Sequence, residues 1–96
     1  MWYTYIIRTH NNRLYTGITT DIERRWREHC HGPKGARFFR TGKPEALCRI
    51  EAFPDRPSAS RREAAIKKLK RREKDQLIAS ASPVELPIAL QANYAD

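Results

Sequence analysis

The spacing of apolar and polar positions changes period several times along the chain, and each change marks an element. The opening "YTYIIR" has the β-branched and aromatic content of a strand, and "RLYTG" offers a second strand after the turn-forming His10-Asn11-Asn12. Together they predict a β-hairpin. From Ile22 the period becomes helical: at ~100° per residue Trp26 and His29 each lie within roughly 40° of Ile22, with Arg25 about 60° to one side of it. Thr20-x-x-Glu23 has capping-box spacing and predicts the start of this helix at Thr20, with a stop near Gly32-Pro33. "KGARFFRTGKPE" reads as a loop, and "ALCRIEAF" alternates as a third strand ended by Pro54 and Pro57. Ser60-x-x-Glu63 repeats the capping-box spacing and opens the helical stretch "REAAIKKLKRREKDQLIAS", with Ile66, Leu69, Glu73 and Leu77 near one face. That stretch is one helix or two joined near Arg72. From Ser82 the tail carries two prolines and little periodicity, which predicts a docked or frayed extension.

Length and charge narrow the partners. A chain of 96 residues is one small domain with a modest core. Its 19 Lys+Arg against 11 Asp+Glu give a formal charge of +8, which favours a polyanion through counterion release and steering. Nucleic acid is the leading candidate. There is no long apolar run for a membrane span, and "MWYTYIIRTHNN" lacks the layout of a signal peptide, so a cytoplasmic location with no membrane partner is expected. Cys30 and Cys48 form no close-spaced framework, and reduced thiols are the default. "HCH" at His29 to His31 suggests zinc at first sight, but adjacent ligands on a helix do not easily converge.

Arg25 and His29 at the margin of a helix's buried face raise a question of chemistry. A guanidinium placed there loses part of its hydration and wants an anion, either a phosphate or a structural carboxylate such as Glu51 or Glu63. His29 by itself reads equally as a core or capping histidine, Glu63 as the N3 member of a capping box, and Tyr5 and Tyr15 as strand aromatics. Gly17 need only let the chain turn towards the helix. Phe38 with Arg37, Arg40 and Lys43 looks like a stacking-and-phosphate surface for unpaired bases, or Phe38-Phe39 anchors a loop.

The ordered set tips this balance. "YTY" (Tyr3-Thr4-Tyr5), "YTG" (Tyr15-Thr16-Gly17) and the nearly unbroken "YTGITTDIERRWREH" resemble the GIY-YIG nuclease domain over about residues 2–80. The resemblance is closest to small stand-alone bacterial members. It implies an α/β fold of the α+β type, a small three-stranded antiparallel sheet flanked by helices, in residues 1–80, with 81–96 as a C-terminal extension. The family's two tyrosines, helix Arg, following His and metal-holding Glu fall here on Tyr5, Tyr15, Arg25, His29 and Glu63. The first tripeptide lacks the family's Gly and Ile, and Thr16 stands where Ile or Val is common. Many members also carry a late supporting Asn, for which Gln76 and Asn93 are the amides available.

The implied activity is a metal-dependent endonuclease acting on DNA, with RNA also open, as a monomer or weak homodimer in a DNA-repair setting. Single-stranded or branched substrate is expected, since no separate duplex-reading domain is attached. Glu63 would hold a single Mg²⁺ or Mn²⁺ with water and substrate phosphate filling the other positions, so that metal binds firmly only alongside DNA. Tyr15 is the expected base, Arg25 the phosphate clamp, His29 an orienting or relaying group for Tyr15, and Tyr5 a holder of water or phosphate. Arg24, Arg37, Phe38, Arg40, Lys43, Lys67 and Lys70 are the expected nucleic-acid contacts. The alternatives are a binding module that has lost its chemistry and an adaptor within a repair complex.

The hairpin register carries its own test. A turn through Asn11-Asn12 alone would pair Tyr15 with Arg8 and put Tyr5 and Tyr15 on opposite faces. A joint site requires a three- or five-residue connection or a bulge.

Overall fold

In the computed structural model, which describes residues 1–31 and 37–80, the three strands are β1 (Trp2–Thr9), β2 (Leu14–Thr19) and β3 (Pro44–Phe53). They form one antiparallel sheet in the order β2-β1-β3. Helix α1 (Ile22–His31) and a short 3-10 turn, Arg37–Arg40, lie between β2 and β3, and α2 (Arg56–Lys67) and α3 (Arg71–Ala79) follow. The fold is α+β. The expected stop at Gly32-Pro33, the extension 81–96 and Asn93 lie outside the described residues.

The hairpin connection is the three residues His10–Asn12: the Thr9 amide donates to the Arg13 carbonyl at 2.8 Å, and the Asn12 amide to the Thr9 carbonyl at 3.0 Å. Asn12 takes a left-handed φ of 63°, which its short polar side chain tolerates better than most. The extra residue sets the register. Ile7 pairs with Tyr15 and Tyr5 with Gly17, so both phenols fall on one face of the sheet.

That face carries Tyr5, Ile7, Trp26, Phe39 and Leu47 as one buried cluster under α1, with Tyr15, Ile22, Cys30, Phe38 and Ile50 packed against it. Leu47 joins the cluster because the β1–β3 ladder is irregular there: Ile6 faces Arg49 while Ile7 faces Leu47, leaving Cys48 as an extra residue. The strict alternation expected of "ALCRIEAF" therefore breaks at Cys48. The other face receives α2, where the buried Thr4 hydroxyl donates to the Ala59 carbonyl at 2.9 Å and Ile66 is buried.

Helix boundaries differ from the capping-box expectations. Asp21, not Thr20, caps α1 by accepting from the Arg24 amide at 3.0 Å. Helix α2 starts before Ser60: Asp55 accepts from the Ser58 amide at 2.8 Å, and Pro57 sits in the first turn, where its missing N–H costs nothing. Glu63 is thus mid-helix rather than a cap. The long basic stretch is two helices, broken at Lys68–Lys70, and the Glu73 carboxylate accepts from the Lys70 amide at 2.9 Å to restart it. Among the described residues no helix is long and apolar enough to cross a membrane.

Candidate active site

Four of the five expected side chains meet on the α1 face of the sheet. Helix α1 buries Trp26 and His29 and leaves Arg25 at its margin, its side chain 26 % exposed. The Tyr5 hydroxyl and His29 Nε2 are 2.8 Å apart and buried. The Tyr15 ring stands edge-on to His29 with centroids 5.2 Å apart, and 6.2 Å from the Tyr5 ring. Arg25 closes the group, near enough to both phenol oxygens for their negative forms to strengthen its hold on its own proton.

Burial decides which proton sits where. It pushes the Tyr5 hydroxyl well above the usual phenol range, and Tyr15 adds to the shift while Arg25 opposes it. Burial also lowers His29 to about 4, helped by the Arg25 charge and opposed by Glu28. At neutral pH His29 is therefore an uncharged ring and Tyr5 keeps its proton; which of the two donates follows the tautomer of the ring. His29 thus hydrogen-bonds Tyr5 and meets the ring of Tyr15, the phenol it is expected to orient.

This arrangement predicts a pH dependence of stability. An unfolded histidine titrates near 6.5 and the folded one near 4, so across that window the unfolded chain binds more protons. The contribution is complete above about 6.5 and lost as pH falls through about 4, on the order of 3 kcal/mol in all. Urea unfolding of the wild type and of His29→Asn at pH 7 and pH 4.5 measures it. The variant is expected to be less stable at pH 7 but to lose less on acidification; equal losses would refute the assignment.

Gly17 has a different purpose from the turn suggested for it. It lies within β2 directly across from Tyr5, and a Cβ there would come within 2.6 Å of the Tyr5 hydroxyl oxygen and 3.0 Å of the Tyr15 ring. The glycine is the shelf on which the Tyr5 phenol rests. Gly17→Ala is expected to displace that hydroxyl and break its bond to His29, lowering activity on the order of tenfold for a stability loss of about 1–2 kcal/mol. Urea unfolding of the variant measures the stability loss independently of activity.

Two phenylalanine rings pack against the group. Phe39 is buried 4.5 Å from the His29 ring and 4.9 Å from Tyr15, while Phe38 lies 5.5 Å from Tyr15. One face of the half-buried Phe38 is covered by the Arg13 guanidinium, 4.3 Å from its centroid, so a base stacking on that face would have to displace Arg13. Arg40 and Lys43 line a wide surface groove of about 900 Å³ with His10, Glu45 and the residues between; Arg37 is exposed at the start of the 3-10 turn.

The structural partner of Arg25 is Glu28, at 2.9 Å and one turn along the same helix. Neither Glu51 nor Glu63 takes that place. Glu51 accepts from Arg62 at 2.8 Å and from Arg49, and Glu63 faces Lys67 at 3.4 Å. Sequence reasoning missed Glu28 although i,i+3 spacing announces it.

Among the described residues Glu63 has no hydrogen bond or ion pair with the other four; it is carried by α2, whose Ala59 and Ile66 pack on the sheet face opposite α1. Its donor chemistry nevertheless fits a hard divalent ion. The carboxylate is part-exposed and its ion pair is with a lysine whose side chain is 55 % exposed, a pairing weak enough to yield to such a cation. Among the described residues no three His, Cys, Asp or Glu side chains gather as a metal cage. One oxygen ligand suits a largely hydrated Mg²⁺ or Mn²⁺ shared with phosphate, and does not suit a closed zinc centre. Lys67 and Lys70 are exposed at and just beyond the end of α2, and Arg24 is exposed on α1.

The chain is similar to known proteins over most of its length. The family model described as the GIY-YIG catalytic domain matches residues 1–76. The UPF0213 protein YhbQ of Escherichia coli O139:H28 is 48 % identical over 92 residues, covering 94 % of this chain and 90 % of that protein. The protein of the same name from Escherichia fergusonii is 48 % identical over 82 residues, covering 84 % and 80 %. The solution NMR structure of UPF0213 protein BH0048 from Bacillus halodurans superposes with a TM-score of 0.53 at 40 % identity, covering 82 % of this chain and 84 % of that one.

Proposed function

The chain belongs to the GIY-YIG catalytic-domain family, and from that premise we propose that it is a divalent-metal-dependent endonuclease hydrolysing DNA phosphodiester bonds. The observation that supports this reading best is the buried Tyr5–His29 bond with Arg25 and Tyr15 gathered about it. A guanidinium at the rim of an apolar, partly desolvated pocket is placed to bind a phosphoryl group and to stabilise the charge that builds on it.

The two phenols divide the work by burial. Tyr5 is 2 % exposed and bound to a neutral imidazole, so it keeps its proton and holds geometry. Tyr15 is half-buried with the Arg25 charge close by, and is the candidate to accept the proton of the attacking water. A Mg²⁺ or Mn²⁺ ion held by Glu63 would neutralise phosphoryl charge and assist the leaving oxygen. A single carboxylate ligand binds metal weakly until DNA supplies further oxygens.

Incubation of the protein with labelled single-stranded, branched and duplex oligonucleotides, and with RNA, in Mg²⁺, Mn²⁺ or EDTA tests the proposal. Metal-dependent cleavage is expected, with single-stranded or branched DNA preferred. Glu63→Gln should raise the metal concentration needed for half-maximal cleavage by on the order of tenfold. Binding with no cleavage in either metal would instead favour a module without chemistry, and cleavage indifferent to Glu63→Gln would place the metal elsewhere.

A further inference from the structure

A second groove opens beside Arg25, away from the phenols. It holds about 320 Å³ and is lined by Trp2, Thr19, Thr20, Arg24, Arg25, Glu28 and Arg56, with Ile18 beneath. It forms where the last residues of β2 hand over to α1 and where α2 begins, so it joins the two faces of the sheet around the end of β2. Three guanidiniums share it with one carboxylate. Glu28 is engaged by Arg25 at 2.9 Å, and among the described residues neither Arg24 nor Arg56 carries an ion pair. The Arg56 guanidinium rests 5.4 Å from the centre of the Trp2 ring, which orders it without neutralising it. A cleft with two such positive groups between low-dielectric walls concentrates field and attracts an anion. The exposed Thr20 adds a polar contact, whereas the buried Thr19 hydroxyl is already bonded to Asp21.

The geometry points to this groove as a second phosphate subsite, in which Arg24 and Arg56 hold the backbone phosphate next to the one clamped by Arg25. Arg25 belongs to both the pocket and the groove, so one strand can run from one into the other. The strand then leaves along α2, on which Glu63 lies two turns beyond Arg56 on the same stripe of the helix, since seven residues return to within ~20° of the starting direction. Such a path links the Arg25 pocket with a carboxylate on the opposite face. The inference rests on the nuclease reading only in calling one of the two phosphates scissile.

Equilibrium binding of a short labelled single-stranded oligonucleotide in EDTA, measured over a range of salt, tests it without any cleavage. Wild type is compared with Arg56→Gln, Arg24→Gln/Arg56→Gln and, as a charge control away from the groove, Arg72→Gln on exposed α3. With one phosphate no longer neutralised, the log–log salt dependence should flatten by about 0.7 in the double variant, and affinity should fall on the order of tenfold at low salt. The two arginines share one phosphate, so Arg56→Gln alone should account for much of the loss, and Arg72→Gln for little. A thermal melt of each variant shows that the fold is kept. An unchanged slope in the double variant, or an equal change in Arg72→Gln, overturns the subsite, whether or not the wild type cleaves. A wild type that binds with the expected slopes yet cuts nothing in metal would leave the subsite standing and sink the nuclease reading.

Discussion

Replacing Arg25 with alanine is expected to lower single-turnover cleavage on the order of 10³-fold while oligonucleotide binding falls far less. The guanidinium is only partly exposed, beside one buried phenol and one half-buried phenol, and each of these oxygens favours its charged form. A phosphoryl group entering this rim meets a fixed planar fork of donors in a poorly hydrated site, where stabilisation of developing charge is strongest. Comparable arginines in phosphoryl transfer contribute about 10³-fold or more, or ~4 kcal/mol of barrier. Arg25→Ala should not unfold the chain, because Glu28 is itself part-exposed and can turn to water, a loss of about 1 kcal/mol. Arg25→Lys restores a point charge but not the fork, and should recover binding while remaining at least about tenfold below wild type in rate. Binding and single-turnover cleavage measured separately decide the matter: Arg25→Ala cutting within about threefold of wild type would remove Arg25 from the chemistry.

Glu28 raises a related point about the ground state. Its carboxylate already occupies one side of the guanidinium at 2.9 Å, so a phosphate must either use the remaining donors or displace it. Five donors on one planar group allow both anions to be served, and the carboxylate then keeps Arg25 pointed at the pocket rather than at bulk water. The pair is local, one turn of helix apart, and costs little to form. The same carboxylate resists the depression of the His29 pKa that Arg25 helps to cause, so the three groups of α1 are electrostatically linked.

The parts of the site carried by local pattern are legible in the chain. β-Branched and aromatic content announces β1 and β2, the helical period announces α1 with Trp26 inward and His29 at the margin, although His29 is in fact buried, and a joint face for Tyr5 and Tyr15 requires a three- or five-residue connection or a bulge, of which the chain uses the first. What escapes depends on long-range packing. Phe39 becomes a wall of the pocket only because the 3-10 turn tucks under Tyr15 and His29, and nothing in "FF" says which ring goes in. Gly17 looks like punctuation until the ladder sets it across from Tyr5. Pro57 reads in sequence as a strand terminator, whereas its fixed φ and missing donor suit the first turn of α2, and Asp55 two residues earlier is the cap to find. Ser60-x-x-Glu63 shows how easily a capping-box spacing arises inside a helix. Removing that structural reason for Glu63 leaves a mid-helix carboxylate whose ion-pair partner is one loosely held lysine, the donor on which the metal proposal turns.

The second large effect separates the phenols. Tyr15→Phe is expected to lower cleavage on the order of 10²- to 10³-fold with stability nearly unchanged, because it removes the proton acceptor but keeps the ring that packs between His29, Phe38 and Phe39. Tyr5→Phe should behave differently. Its hydroxyl is buried against Nε2 of His29, so the variant leaves a buried ring nitrogen without this partner, at a cost of about 1–3 kcal/mol in stability. Its effect on rate should stay nearer tenfold, since only positioning is lost. The acid dependence should not separate them: burial and the Arg25 charge hold the His29 pKa down, so both variants should keep most of the stability loss between pH 7 and pH 4.5. Rates from single-turnover assays and stabilities from urea unfolding test both halves. If Tyr5→Phe proves the more damaging to rate and Tyr15→Phe to stability, the roles are reversed, and the buried phenol must be reached by water through a movement of α1.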